Sequence, residues 1–231
     1  MGELFRPELI PDYILKISKA FPKTIEILLL SLLFSLLLGG IFAAMGMSGK
    51  KALVKISSGW IAFMRGVPTL ILIFLLYLGL PQVLKRIGID LSGVSTTTFI
   101  ITTLSLSASA NMAEMMRSAC LAIDKGQKEA ALSVGMSPAV AFIRIILPQA
   151  LGVAIPTLGN NFIMLFKETS LAFTIGVMDL MGKARAVSAV NYGATKLEVY
   201  VATAVIFWVF CFVFEKLFKF IEKAYTVGRK A

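Results

Sequence analysis

Most of the polar side chains in this sequence that could bind a small molecule lie inside or beside long apolar runs. Charged groups at membrane depth are costly, so they are expected to contact a solute or one another. A carboxylate in a cavity of low dielectric is a strong partner for an ammonium or guanidinium group, and side-chain amides can hydrogen-bond a polar solute. For each charged residue the alternative is an interfacial position or an internal ion pair. The candidate solute contacts are Glu26, Glu114, Asn160, Asn161, Lys167 and Glu168.

The residue types that are missing exclude several kinds of chemistry. The sequence has no histidine, which removes Ser-His catalysis, His-ligated zinc and His proton relays. Cys120 and Cys211 lie far apart, each in or beside an apolar run, as is typical of small buried hydrophobic residues. No G-x-x-x-x-G-K-[ST] motif is present to hold phosphates. We therefore expect no catalytic residue, no metal site and no cofactor bound by this chain.

The composition is typical of a protein that lies in a lipid bilayer. Of the 231 residues, 58% are hydrophobic and 16% are charged, whereas soluble domains average about 45–50% and about 25%. A membrane-spanning helix needs about 20 apolar residues, so the length allows about five or six helices. The net charge of +10 comes from Lys and Arg that lie mostly at the ends of apolar runs. That distribution is typical of cytoplasmic loops and does not indicate nucleic-acid binding.

We predict an all-α membrane protein with about five transmembrane helices, its N-terminus outside and its C-terminus in the cytoplasm. A short N-terminal amphipathic segment, residues 1–23, is expected to lie at the membrane surface and to precede a transmembrane domain, residues 24–218. A basic cytoplasmic tail, residues 219–231, follows. The predicted spans are about residues 24–47, 67–84, 97–117, 150–166 and 197–218.

Two stretches of the apolar sequence are expected to be irregular. The fourth predicted span contains Pro156, Gly159, Asn160 and Asn161, which predict an interruption of the helix. The run at residues 171–181 is about half as long as a span, so it is expected to be re-entrant or packed against protein.

The segment of residues 124–148 is too polar to cross a bilayer, although it lies between apolar runs. Each of its charged residues would cost about 2.5–3.5 kcal/mol at mid-membrane. Gly135 predicts a left-handed stop after a first helix. Ser137 and Pro138 predict the start of a second helix, which we expect to end before Pro148. Small apolar residues on this helix–turn–helix predict a docking partner, with a connector folded back on its own bundle as the alternative: Ala130, Ala131, Leu132, Val134 and Phe142.

The same segment resembles the EAA loop of ABC-importer membrane subunits. The resemblance rests on three pieces of sequence and their spacing. Glu129-Ala130-Ala131 is separated by three residues from Gly135, and Gly135 is separated by nine residues from Ile145-x-Leu147-Pro148. Further stretches resemble the polar amino-acid branch of that family, from about residue 24 to the end of the last span. They are Arg65-Gly66-Val67-Pro68, Glu114-Met115-Met116-Arg117 ahead of Gly126-Gln127, and Asn160 with Lys167-Glu168-Thr169-Ser170-Leu171.

The resemblance implies a function, partners and a location. The chain would be the permease subunit of an ATP-driven importer in the inner or plasma membrane of a bacterium, surrounded by membrane lipid. Its partners would be two cytoplasmic ATPase subunits that bind ATP and Mg, a second permease subunit (a copy or a paralogue) and an external solute-binding protein. The residues that would contact the ATPase are Glu129, Ala130, Ala131, Leu132 and Gly135.

The resemblance also bears on the solute and on two arginines. Because Glu26 is acidic and no cation lies in the middle of a span, we expect a polar and preferably basic L-amino acid, such as arginine, lysine or histidine. Arg65 and Arg117 would form a cytoplasmic gate or a brace for the coupling segment, with positive-inside anchoring as the alternative.

Two other classes of function are alternatives to an importer. A secondary transporter or channel for a small polar solute would need a coupling-ion site and usually an internal repeat, and neither is evident in the sequence. An intramembrane protease would need facing aspartates, and Asp179 is the only aspartate at plausible membrane depth.

Overall fold

The computed structural model describes residues 5–190 and 194–227, and these residues contain helices and no strands. Arg229 and Lys230 of the predicted basic tail therefore lie outside the described residues. In chain order the helices are α1 (Ile10–Ser18), α2 (Phe21–Met47), α3 (Lys51–Gly66), α4 (Thr69–Phe74), α5 (Leu80–Lys85), α6 (Thr96–Leu121), α7 (Lys125–Ser133), α8 (Pro138–Ala141), α9 (Leu147–Thr169), α10 (Leu180–Ala189) and α11 (Lys196–Val227).

Several helices have the length and composition to cross a membrane. Within the described ranges three qualify alone: Phe21–Met47, a continuous helix over Pro138–Ile175, and Lys196–Tyr225. A fourth candidate is the pair Lys51–Gly66 and Thr69–Lys85, which is bent by 102° at its break. The remaining predicted span forms α6, which is 26 residues long but rich in Ser and Thr, and hence less apolar.

Helix α6 lies at the centre of the bundle, with α2 parallel to it and α9 antiparallel. A Cβ atom added to Gly39 of α2 would lie only 2.6 Å from Cβ of Met112, so the missing side chain allows α2 to approach α6 closely. On another face of α6, Met115 and Ala119 pack with Ala150 and Ala154 of α9. The small residues that the sequence places in α6 and α9 thus set the spacing of the three central helices.

Aromatic side chains join α9 to α11, which also run antiparallel. Phe162 and Phe166 stack on Phe210, with ring centroids 6.2 Å and 3.7 Å apart. Near the other end of the contact, Gly159 leaves room for the ring of Phe218, which lies 2.8 Å from an added Cβ. This aromatic layer holds α9 against α11 over several helical turns.

The N-terminal helix α1 turns its apolar face towards the protein. Ile17 is fully buried and Tyr13 is 7% exposed. The Tyr13 hydroxyl is 2.8 Å from Oγ1 of Thr195, and the Arg6 backbone N–H donates to Glu198 at 2.8 Å. These bonds tie the N-terminal segment to the start of α11, so its amphipathic face packs on the bundle.

The predicted helix end before Pro148 and the predicted interruption at Pro156 were both wrong. Helix α8 continues into α9, and α9 passes through Pro156 without a break. The turn Phe142–Ile146 is π-helical, and the Leu147 N–H bonds to the Phe142 carbonyl five residues earlier. Pro148 has no N–H to donate, and the wider turn before it accommodates its ring, so the proline does not end the helix. At Pro156 the packing of α9 between α6 and α11 maintains the helix.

The short apolar run after α9 packs against protein, as one of the two alternatives expected. It forms a 3₁₀ turn over Ser170–Ile175, in which Ala172 is fully buried. Gly176 ends it with φ of +84°, a left-handed conformation that favours glycine. Asp179 follows and caps α10 through the Gly182 N–H at 2.8 Å. The other three aspartates of the chain, Asp12, Asp90 and Asp124, are exposed, whereas Asp179 is fully buried.

Candidate solute cavity and coupling segment

A cavity of about 440 Å³ lies between the end of α3, the second half of α6 and the middle of α9. Its polar walls include Arg65 from α3, Asn111 and Glu114 from α6, and Thr157 and Asn161 from α9. Arg65 is exposed, whereas Asn111 and Asn161 are half-buried. The cavity therefore presents a guanidinium group and two amides to a solute.

A carboxylate lies beside this cavity without a cationic partner. Glu168, near the end of α9, accepts a hydrogen bond from Thr69 Oγ1 at 3.3 Å, and the Thr69 hydroxyl is 3.2 Å from that of Ser107. Among the described residues no ion pair involves Glu168. A small recess that contains Glu168 shares Asn111 and Asn161 with the larger cavity. The two spaces therefore adjoin along α6, and we call their polar lining, together with the Thr69 and Ser107 hydroxyls beside Glu168, the polar tract.

The second carboxylate of the cavity is already neutralised. Arg117 donates from Nη2 to Glu114 at 2.5 Å and from Nε at 3.1 Å, one helical turn away on α6. Both side chains are about one-third exposed, at 36% and 33%. Arg117 also faces Gly46 at the end of α2, and its Cδ is 3.6 Å from the position that a Cβ atom of residue 46 would take. The pair thus brings the cavity wall and the end of α2 together.

The structure does not bring all the predicted solute contacts together. Glu26 forms an exposed ion pair with Lys23 at 3.0 Å. Since Gly39 packs on Met112, Glu26 is level with about residue 99 of α6, roughly 22 Å along the axis from Glu114. Asn160 and Lys167 are exposed on α9 and are absent from the lining of the cavity. Glu114, Asn161 and Glu168 are the predicted residues that share the polar tract.

Sequence reasoning missed three hydroxyl and amide groups of this tract: Thr69, Ser107 and Asn111. Thr69 follows the predicted Arg65-Gly66-Val67-Pro68 stretch directly, where the helix restarts after the bend. Ser107 and Asn111 are four residues apart in α6 and so share a face. That spacing, followed by Glu114 one turn later, was the available signal.

The coupling segment, residues 124–148, has the predicted helix–turn–helix geometry at its turn. Gly135 has φ of +85°, and its N–H bonds to the Leu132 carbonyl at 3.0 Å. The Met136 N–H reaches the Ala131 carbonyl at 3.1 Å, which completes a Schellman motif. Ser137 then accepts a hydrogen bond from the Val140 N–H at 3.4 Å as the N-cap of α8.

One face of the coupling segment is exposed. Glu129 and Ala130 are exposed, Leu132 is 38% exposed and Val134 is 74% exposed, whereas Ala131 is buried. Two bonds join the segment to the bundle at its far end. Gln149 Nε2 donates to Gln127 at 3.3 Å, and the Tyr225 hydroxyl of α11 donates to the Pro148 carbonyl at 2.6 Å.

A known family matches most of this chain. Residues 35–227 match the family described as binding-protein-dependent transport system inner membrane component. The chain belongs to this family. The family assignment confirms the predicted resemblance and a location in a membrane, with multiple membrane-crossing helices.

Curated relatives and a solved structure agree with the family assignment. The chain is 37% identical to the L-cystine transport system permease protein TcyL of Bacillus subtilis (strain 168), over 96% of this chain and 92% of that protein. It is 41% identical to the probable amino-acid ABC transporter permease protein PatM of Vibrio harveyi, over 80% of each chain. A crystal structure of an amino acid ABC transporter with histidines has a TM-score of 0.80 and 31% identity, over 92% of this chain and 95% of that chain.

Proposed function

We propose that this chain is the permease subunit of an ATP-driven importer for polar L-amino acids. It would cross the membrane five times, through α2, the bent α3–α5 pair, α6, the α8–α9 helix and α11. The N-terminus would be outside and the C-terminus in the cytoplasm, so that the coupling segment faces the ATPase.

One observation carries this proposal: the helices that line the solute cavity are the helices that hold the coupling segment. α6 leads into α7 across only residues 122–124, and α8 runs into α9 as one continuous helix. A displacement of the coupling segment therefore moves two walls of the cavity directly. Such a connection is what ATP-driven alternating access requires, whereas a channel or an ion-coupled carrier has no need of it.

The coupling segment would dock into a groove on one of two ATPase subunits, which bind ATP and Mg. Glu129 would pair with a basic residue of the ATPase, and Ala130 would allow close packing. A second permease subunit, identical or related, and an external solute-binding protein would complete the assembly. The rigid Schellman turn at Gly135 would transmit ATPase closure to α6 and α9 without loss through bending.

The polar tract suits the two ends of an amino acid. Arg65 is a suitable partner for the α-carboxylate, because its guanidinium group is exposed and can bind a carboxylate through two hydrogen bonds. Glu168 is a suitable partner for the α-ammonium group, because it lies within the bundle without a cation. Asn111 and Asn161 would contact the side chain of the solute.

The balance of charge in the tract favours a solute whose side chain is neutral. Arg65 and Glu168 match the two charges of a zwitterion, and Glu114 is already paired with Arg117. Cystine, the solute named for the relative TcyL, carries no net charge, and Asn111 and Asn161 would face the ammonium and carboxylate groups of its second half. The predicted preference for arginine, lysine or histidine remains the second candidate, and it needs Glu26 or Glu114 to be released from its ion pair.

The test is uptake into proteoliposomes that contain the complete importer. We expect uptake of a polar amino acid only when ATP is supplied on the side of the membrane where the ATPase lies. Unlabelled cystine should compete with the labelled solute better than arginine or lysine does. Uptake that continues without ATP would support the secondary-transporter alternative. Stronger competition by arginine than by cystine would support the basic amino acid and reject the argument from charge balance.

A further inference from the structure

A second cavity, of about 390 Å³, lies at the end of the bundle where the coupling segment meets α2. Its apolar wall includes Met47 at the end of α2, Leu121 at the end of α6, and Phe142. These side chains are 36%, 64% and 38% exposed. The apolar wall therefore lies where the long helices α2 and α6 end, at the level of a membrane surface.

The other wall of this cavity is positively charged. Lys125 and Lys128 of α7 line it, and neither makes an ion pair within the described residues. Arg117 also lines it, but its charge is matched by Glu114. The acidic residue of the lining, Asp124, is the N-cap of α7 and accepts from the Gly126 N–H at 2.7 Å. Its charge offsets one of the two lysines, so the lining keeps a net positive charge.

We propose that this cavity binds the headgroup of an anionic phospholipid. Lys125 and Lys128 would contact the phosphate, and an acyl chain would lie along Met47, Leu121 and Phe142. The bound lipid would link the end of α2 to the coupling segment, so its presence would stiffen the joint between the two. The proposal needs only a membrane location and is independent of which solute is carried.

The combination of the two walls decides between lipid and other occupants. A free phosphate would use the lysines but leave the apolar wall in water. A neutral lipid would cover the apolar wall but leave the net positive charge of the lining without a counter-charge. Basic pockets between helices at the cytoplasmic side of a membrane typically bind anionic headgroups, and each basic residue near the surface adds to the attraction.

The experiment measures lipid binding to the complete purified importer by native mass spectrometry. Phosphatidylglycerol and phosphatidylcholine are titrated separately, and inorganic phosphate is added as a competitor. The test variant is Lys125→Gln with Lys128→Gln. The control is Lys50→Gln with Lys51→Gln, which removes the same charge from exposed residues that follow α2 but do not line the cavity.

We expect phosphatidylglycerol to bind more tightly than phosphatidylcholine. The test variant should weaken phosphatidylglycerol binding about 30-fold, since two lysine contacts are lost, and the control variant should weaken it less than about threefold. Equal losses in the two variants would show a general attraction to basic surface and overturn the proposal. Displacement of the lipid by millimolar inorganic phosphate would assign a free-anion site instead.

A second measurement keeps both lysines and locates the lipid. Cys120 lines the cavity and is half-buried. In a Cys211→Ser background its reaction with a maleimide should be slower in nanodiscs that contain phosphatidylglycerol than in pure phosphatidylcholine. Equal rates would overturn the proposal. Protection that depends on the ATPase in neutral lipid would assign the cavity to a segment of the ATPase.

Discussion

Gly135 gives the sharpest test of the coupling segment, because the structure contains a matched glycine far from it. We predict that Gly135→Ala impairs coupling between ATP hydrolysis and transport. Gly135 has φ of +85° with no atom within 4 Å of an added Cβ, so the substitution adds backbone strain and no clash. A left-handed backbone costs a non-glycine residue roughly 1–2 kcal/mol. That cost lowers the ratio of formed to unformed turn by about 5- to 30-fold.

Gly88 provides the control for this prediction. It has φ of +83°, again with no atom within 4 Å of an added Cβ, and it lies in the turn after α5, outside the coupling segment. Gly88→Ala therefore introduces the same strain elsewhere. Gly135→Asn should recover part of the loss, because asparagine tolerates the left-handed conformation better than alanine.

The assay compares ATP hydrolysis and solute uptake by the reconstituted importer with each variant. Gly135→Ala should lower uptake by up to about 30-fold, while Gly88→Ala should retain most of it at equal protein content. Equal losses of uptake in Gly135→Ala and Gly88→Ala would contradict a specific role of the Gly135 turn in coupling. Uptake by Gly135→Ala at the wild-type rate would contradict it as well.

Four further predictions follow from packing and charge. Gly39→Ala should destabilise the protein by about 1–3 kcal/mol, since its Cβ would lie 2.6 Å from Cβ of Met112. Gly40→Ala should be tolerated, because the nearest atom to its Cβ would be Sδ of Met116 at 3.9 Å. Thermal unfolding in detergent compares the two variants. Glu168→Gln should raise KM for uptake, and Glu26→Gln should leave KM unchanged. If only Glu26→Gln raised KM, the solute would contact Glu26, as predicted from the sequence, and not Glu168. Arg117→Gln should impair uptake by leaving Glu114 unpaired, and Glu114→Gln added to it should restore part of the loss; no restoration would mean that the ion pair is not the cause. Burial raises the pKa of Asp179 to about 6, above its unfolded value of about 3.9. Because the folded protein binds more protons than the unfolded chain between these two values, the unfolding temperature should fall as pH rises through this interval. Asp179→Asn should flatten that dependence.

Features that depend on local backbone chemistry could be predicted from the sequence. The left-handed conformation of Gly135 and the Ser137-Pro138 helix start both depend on residues within one turn, so short motifs determine them. The positions of the long apolar helices were also predictable, because lipid requires about 20 apolar residues for each span.

Features that depend on packing could not be predicted in the same way. Pro148 and Pro156 are ordinary helix breakers, yet a π-helical turn and neighbouring helices keep α9 continuous. Glu26 resembles a pathway residue in sequence, but only the register of α2 against α6 shows its distance from Glu114. The contact of Thr69 with Glu168 joins residues 99 positions apart, and no local pattern encodes it.

The most direct test of the central claim is cross-linking between the coupling segment and the ATPase. Cys120 and Cys211 are first replaced by serine, and a single cysteine is then introduced as Glu129→Cys or, as a control at the opposite end of the bundle, Lys85→Cys. We predict that Glu129→Cys forms a short bismaleimide cross-link to the ATPase, with a yield that changes when ATP is added, and that Lys85→Cys forms none. A cross-link from Lys85→Cys, or none from Glu129→Cys in an importer that still hydrolyses ATP, would contradict this prediction.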